Sequence, residues 1–199
     1  MKIVVVGASG AIGKAVVKEL AARHEIVPVG RSSGDIRMDI TDSATIRAGL
    51  QKIGGFDALV STAGEVHFGP LEKMNAAEFE IGLRDKLMGQ VNLVLIGREF
   101  ANDRASFTLT SGVLGDDPVM YGSSASMVSG ALDSFVRAAA IELPRGMRIN
   151  TVSPGVLQES MDKYAAFFRG HEPVAAARVA LAYSKSVEGA LTGQVFRVI

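Results

Sequence analysis

The chain has no cysteine, no tryptophan, only three histidines and no surplus of either charge, with 21 basic and 21 acidic side chains. Without cysteine there is no disulfide and no thiolate-bound metal, and His24, His67 and His171 lie too far apart to read as a local ligand cluster, so no metal is expected. The cancelled charge offers no field that would gather nucleic acid or an anionic membrane. Long apolar runs are missing as well. MKIVVVGASG opens apolar, but glycines interrupt it within a few residues and no small-residue cleavage pattern follows, so neither a signal peptide nor a membrane span is expected. A cytoplasmic protein is the expectation. Repeats, low-complexity tracts and long Pro/Gly/Ser linkers are also lacking, which leaves one domain over residues 1–199.

What is present is core material in an alternating order. Apolar residues make up 48% of the chain, ample for one sizeable core. Short β-branched runs at Ile3–Val6, Ile26–Val29, Asp35–Ile40, Ala58–Ser61, Phe107–Thr110, Ile149–Val152 and Val195–Val198 read as strands. Between them Ala11–Arg23, Ser43–Ile53, a long stretch near Ala76–Ala101, Ser124–Glu142 and Val174–Ser186 read as helices. Nearly continuous apolar strands separated by helices predict a doubly wound α/β fold of the Rossmann type, about seven parallel strands with helices on both faces.

The strongest chemical signal lies at the carboxyl end of the first strand. In Gly7-Ala8-Ser9-Gly10-Ala11-Ile12-Gly13 three glycines span a strand-to-helix turn, so backbone can approach a pyrophosphate closely and the amides of the following helix face it. The second strand bears on which dinucleotide. An acidic residue at its end would hold ribose hydroxyls, whereas Val29-Gly30-Arg31-Ser32-Ser33 offers a guanidinium and two hydroxyls to a 2′-phosphate. NADP(H) is therefore preferred, with NAD(H) possible: Arg31 also reads as a solvated loop residue, and Asp35 lies close by.

Together these motifs resemble the short-chain dehydrogenase/reductase family, and the likeness runs through nearly the whole chain in order. Met38-Asp39-Ile40-Thr41-Asp42 is similar to the stretch that contacts the adenine ring, although Asp42 also stands where a helix N-cap belongs. Ser61-Thr62-Ala63-Gly64 resembles the segment closing the fourth strand, Ser153-Pro154-Gly155-Val156 the turn that meets the nicotinamide carboxamide, and Thr192-Gly193-Gln194 the last turn. The resemblance implies cofactor contacts from Gly7, Ser9, Gly10, Ala11, Ile12, Gly13, Arg31, Ser32, Ser33, Asp39, Ile40, Ala63, Gly64, Pro154, Gly155 and Val156.

It also implies a serine after the fifth strand and a Tyr-x-x-x-Lys pair on the next helix, because a phenol of pKa about 10 needs a neighbouring ammonium to act as a base near neutrality. Ser111 fills the serine position. The pair is absent: Ala125 and Ser129 occupy the two places. Tyr121, one helical turn upstream, is the candidate proton donor, and Lys86, standing where the family carries asparagine, is the candidate ammonium. Lys86 can equally be a lysine whose stem packs and whose head reaches solvent.

Residues 155–173 correspond to the family's substrate lid, with Met161, Tyr164, Phe167 and Phe168 at helical spacing, which suits an apolar or aromatic substrate. Phe79, Leu83, Leu87, Val91 and Leu95 fit either core or the helix face through which such proteins form a homodimer or homotetramer. The expected function is an NADP(H)-dependent oxidoreductase acting on a small carbonyl or hydroxyl compound. A catalytically impaired NADP(H)-binding regulatory or redox-sensing protein is the alternative.

Overall fold

A computed structural model describes residues 1–199. Seven strands, β1 (Lys2–Val6), β2 (Glu25–Gly30), β3 (Ile36–Arg37), β4 (Phe56–Ser61), β5 (Ala101–Thr110), β6 (Arg148–Pro154) and β7 (Val195–Val198), form one sheet in the order β3-β2-β1-β4-β5-β6-β7. Every pair is parallel. The helices are α1 (Ala11–Leu20), α2 (Ser43–Ile53), α3 (Ala76–Gly82), α4 (Gly89–Gly97), α5 (Ser123–Glu142), α6 (Met161–Tyr164) and α7 (Ala176–Glu188). This is the doubly wound Rossmann-like fold the alternation predicts. No helix is long and apolar enough to cross a membrane.

The period of two along the strands divides the core between two faces. Val4 and Val6 of β1 join a layer with Leu59, Phe107 and Leu109 under α2, α4 and α5, while Ile3 and Val5 join Ala58, Val60 and Val152 under α1 and α7. Strands apolar on both sides can only be central and covered, which is why a parallel sheet forms. Local signals fix the helix starts. The Asp42 carboxylate accepts the Ala44 N–H at 2.8 Å as the α2 N-cap, and Asn75 with Glu78 closes a capping box on α3.

Four elements differ from expectation. β3 is two residues rather than six: Met38 still donates to the Gly30 carbonyl, but the Asp39 N–H turns to the Thr45 hydroxyl and its carboxylate accepts the Thr41 N–H, both outside the sheet. β5 starts at Ala101, six residues early; its first turn of polar residues, Asn102 to Arg104, is exposed and hid the strand. The long helix is two helices joined by a π-helical segment, Leu83–Met88, and it ends at Gly97. The lid holds a 3-10 turn, Gln158–Ser160, and a one-turn helix, α6; Tyr164 meets Phe168 one turn on, while Phe167 packs across on Phe68.

Candidate active site

The sheet order reverses between β1 and β4, and the residues at their carboxyl ends open a crevice there, the place where open α/β sheets bind ligands. Gly7 leaves β1 with φ +86°, a conformation that favours glycine, and donates its N–H to the Val29 carbonyl at 2.8 Å. A Cβ on Gly13 would collide with the Gly7 carbonyl, so α1 seats against the turn as closely as only glycine permits. Gly10 is the N-cap of α1, no side chain caps it, and the first turn carries no acidic residue. The helix therefore presents unfilled amide donors beside exposed Ser9 and Ala11. That donor set fits a pyrophosphate.

Beyond the turn, a recess of about 300 Å³ is lined by Arg31, Ser32, Ser33, Asp39 and Ile40 together with Gly7 and Ser9. Asp39 accepts the Thr41 N–H at 2.9 Å and the Thr41 hydroxyl at 2.7 Å. Those two bonds hold its carboxyl below the usual aspartate range, with the nearby Arg31 charge adding to them. Arg31 itself is exposed, so its guanidinium is open to an incoming anion.

Ala63, Gly64 and Glu65 border this recess and also a second cleft of about 390 Å³, making the two continuous. Thr62 ties the floor together by donating its hydroxyl to the carbonyls of Val6 and Gly7. Ile12, Pro154, Gly155 and Val156 line the second cleft, as do Ser111 and Lys86. All the cofactor-side residues singled out in the sequence thus fall at the glycine turn or along these two joined cavities.

The π-helical segment does particular work here, since such insertions shift the phase of a helix and are frequent at functional sites. Its Asp85 accepts the Glu65 N–H at 2.8 Å, pinning the loop after β4. Its Lys86 lays its stem across Gly64, where a Cβ would come within 2.7 Å of the lysine Cγ. The Lys86 ammonium donates to the Ser111 carbonyl at 2.7 Å. Although the stem is partly exposed, burial of the ammonium pushes the lysine down to about 8, against a smaller opposing pull from Asp133. A lysine in an ordinary solvated helix face would not be shifted in this way.

Ser111 is almost fully buried and its hydroxyl has no hydrogen-bond partner in the protein, a state it shares with the hydroxyls of Ser61, Ser106, Ser124, Ser126 and Ser153. Ala125 and Ser129, one turn apart on α5, both face the cleft. Tyr121 does not line it. Its φ is +66° and its ring lies edge-on to Phe167 with centroids 6.3 Å apart, so the phenol is held at the outer edge of the aromatic lid cluster. The candidate donor from the sequence is thereby separated from Ser111 and Lys86, because Tyr121 precedes α5 and leaves the loop in a direction its helical spacing did not reveal.

Gln90 is a residue that sequence reasoning missed. Fully buried on α4, it accepts the Thr110 N–H at 2.8 Å and donates to the carbonyls of Thr110 and Lys86 at 2.9 and 3.1 Å. Its amide replaces a strand partner where β4 has ended, and so fixes the end of β5 just before Ser111. The only sequence signal was a polar residue in a helix whose other polar side chain is Asn92. Phe68 and Lys163 also line the cleft unannounced, brought there by the loops after β4 and β6. No group of three or more histidine, cysteine or acidic side chains is placed to hold a metal ion.

Comparison with known proteins agrees with this geometry. A family model described as enoyl-(acyl carrier protein) reductase matches residues 1–190. The chain belongs to the short-chain dehydrogenase/reductase family. Among solved structures, this family member is similar to the protein lin1944 from Listeria innocua, with 47% identity, full coverage of both chains and a TM-score of 0.98. A small-chain dehydrogenase solved in complex with NADPH is 24% identical over all of this chain and 96% of its own, with a TM-score of 0.88, a likeness of fold. An uncharacterized oxidoreductase of Bacillus subtilis is 25% identical over 181 residues, 79% of this chain and 75% of that protein. The short-chain dehydrogenase/reductase scaffold is therefore intact, while Ala125 and Ser129 stand where the family's usual pair would be.

Proposed function

We propose that this protein is an NADP(H)-dependent oxidoreductase of a small, largely apolar carbonyl or hydroxyl compound, with Lys86 rather than a tyrosine as its proton donor. The observation that carries the reading is the desolvated Lys86 ammonium, held on the backbone carbonyl of Ser111 where both residues line the cleft. When bound, the nicotinamide supplies or accepts hydride at its C4.

The chain's own residues do the rest. The bare N-terminus of α1 holds the pyrophosphate, and Arg31, Ser32 and Ser33 hold the 2′-phosphate. Pro154, Gly155 and Val156 form the wall against the carboxamide. Ser111 donates its unused O–H to the substrate oxygen and orients it. Lys86, with one N–H on the Ser111 carbonyl, has others to aim at the same oxygen, and near pH 7 it is mostly protonated. A general acid whose pKa lies close to the working pH transfers its proton most efficiently. Phe68, Tyr164 and Phe168 give the cleft an apolar side against which the substrate packs.

The second reading, a nucleotide-binding regulatory protein without turnover, draws support from the missing Tyr-x-x-x-Lys. One experiment separates the two. Purified protein is screened for NADPH consumption with a panel of small ketones, while calorimetry follows NADPH binding to the wild type and to Lys86→Met. Turnover that disappears in the variant with binding retained supports the oxidoreductase; binding without turnover in either protein supports the regulator.

Assembly as a homodimer or homotetramer completes the proposal. Ile81, Met88, Leu95 and Met127 of the paired helices α3 to α5 are all about two-fifths exposed, a face suited to a second copy. Sedimentation at micromolar concentration tests it, and a monomer contradicts it.

A further inference from the structure

We infer that the cleft takes a keto acid, whose carboxylate is held by Lys163 and Ser160 of the lid while its carbonyl is reduced. The inference rests on the oxidoreductase reading above and adds the substrate class to it.

The polar side chains of the cleft divide by what they already bond. The Thr62 hydroxyl donates to the carbonyls of Val6 and Gly7, and the Thr110 hydroxyl donates to the Ser61 carbonyl and meets the Tyr183 phenol. Their protons are used. Lys86 has one N–H on the Ser111 carbonyl and serves the reacting oxygen in the reading above. Ser160 and Lys163 also line the cleft, and neither is committed. The Ser160 hydroxyl stands at the start of α6 without capping it, and the Lys163 ammonium rests 5.1 Å from the centroid of the Tyr164 ring, in no ion pair.

Charge decides what those two donors fit. Glu65 is the one carboxylate of the lining, and it also borders the nucleotide recess, which Lys163 does not. Two ammonium groups therefore face one carboxylate around the cleft. The Tyr164 ring is part of the lining, so the cation–π contact keeps the Lys163 charge beside it. A carboxylate has two oxygens that accept from an ammonium and a hydroxyl together, and charge-assisted bonds of this kind are the stronger ones. A neutral substrate gains far less from the same pair.

The rest of such a substrate meets apolar side chains. Phe68 packs on Tyr164 with 5.6 Å between ring centroids, and Val113, Leu114 and Phe168 belong to a buried cluster. An aryl or branched keto acid matches that mixture. In the reduction, the carbonyl carbon gains hydride from NADPH and its oxygen gains the Lys86 proton as the C=O π bond breaks. The products are a hydroxy acid anion and NADP⁺, with the carboxylate unchanged.

The test compares 2-oxo-4-phenylbutanoate and 4-oxo-4-phenylbutanoate, each with its own methyl ester, following NADPH oxidation by the whole chain. The 2-oxo ester is the more electrophilic ketone, so a preference for the acid reports its binding. The expected result is a kcat/KM about tenfold or more higher for the acid in at least one pair. Lys163→Met brings that acid to the efficiency of its ester without changing NADPH affinity by calorimetry, and Lys163→Arg retains the preference. Calorimetry of 4-phenylbutanoate, an anion with no ketone, on the chain saturated with NADP⁺ shows weaker binding in Lys163→Met. Acids and esters used equally, a preference or an anion affinity that survives Lys163→Met, or a variant in which NADPH binding weakens and acid and ester slow alike overturns the inference; the last result assigns Lys163 to the nucleotide. Turnover of neutral ketones without turnover of the acids also overturns the inference and leaves the oxidoreductase reading standing. No turnover of acids, esters or neutral ketones by a protein that binds NADPH overturns both.

Discussion

Replacing Lys86 by methionine should leave the protein at least as stable while abolishing its chemistry, a combination that a structural lysine would not produce. Burial lowers the Lys86 pKa from 10.5 to about 8. At 1.36 kcal/mol per unit, holding the charged form in the folded protein near neutrality costs about 3 kcal/mol. Between pH 8 and 10.5 the unfolded chain binds a proton that the folded one has released, so stability rises with pH across that window and is lowest below it. Methionine fills the same channel over Gly64 without a charge. It forfeits the hydrogen bond to the Ser111 carbonyl, worth about 1.5–3 kcal/mol for a charged donor, which offsets part of the gain. The net expectation is unchanged or higher stability at pH 7, by up to about 1 or 2 kcal/mol, and loss of the stability increase above pH 8. Turnover should fall by on the order of a hundredfold or more, as for loss of a general acid. Denaturant melts from pH 7 to 10.5, paired with NADPH-consumption assays, read both quantities. A Lys86→Met protein that is destabilised at pH 7 and still turns over normally would refute the reasoning.

Other changes should separate the parts of the site. Arg31→Ala is expected to weaken NADPH binding about tenfold to a hundredfold through loss of a charge-assisted bond, while NADH binding stays constant by calorimetry. Tyr121→Phe should leave kcat/KM within about twofold, since Tyr121 does not line the cleft; a loss approaching that of Lys86→Met would return the proton donor to the lid. Gln90→Leu leaves the Thr110 N–H and carbonyl unpaired in the interior, so Tm should drop by several degrees, at about 1–3 kcal/mol for each orphaned group. In the reductive direction kcat should be flat below pH 7 and fall as pH rises through about 8, because Lys86 must carry its proton; a profile that rises over this range contradicts the assignment.

The fold and the nucleotide cradle were legible in the sequence because both rest on local, repeated signals. Alternating strand and helix patterns gave the seven-stranded parallel sheet, and Gly7, Gly10 and Gly13 can be read without knowing what packs around them. Asp42 was identifiable as a cap from its position alone. The catalytic wall was harder, since it is assembled from distant segments. Lys86 reaches Ser111 from a π-helical segment, a departure that no period of 3.6 reveals. Tyr121 looked close to the site by helical counting, yet it sits before the helix begins, on a residue of positive φ. Gln90 left almost no trace, as its partners lie twenty residues away on a strand whose own start was obscured by exposed polar residues.

Titration calorimetry of the purified chain with NADPH and NADH tests the central claim most directly. Binding of one nucleotide per chain, tighter for NADPH than for NADH, is the predicted result. The absence of heat with both nucleotides, from a folded protein, would contradict it.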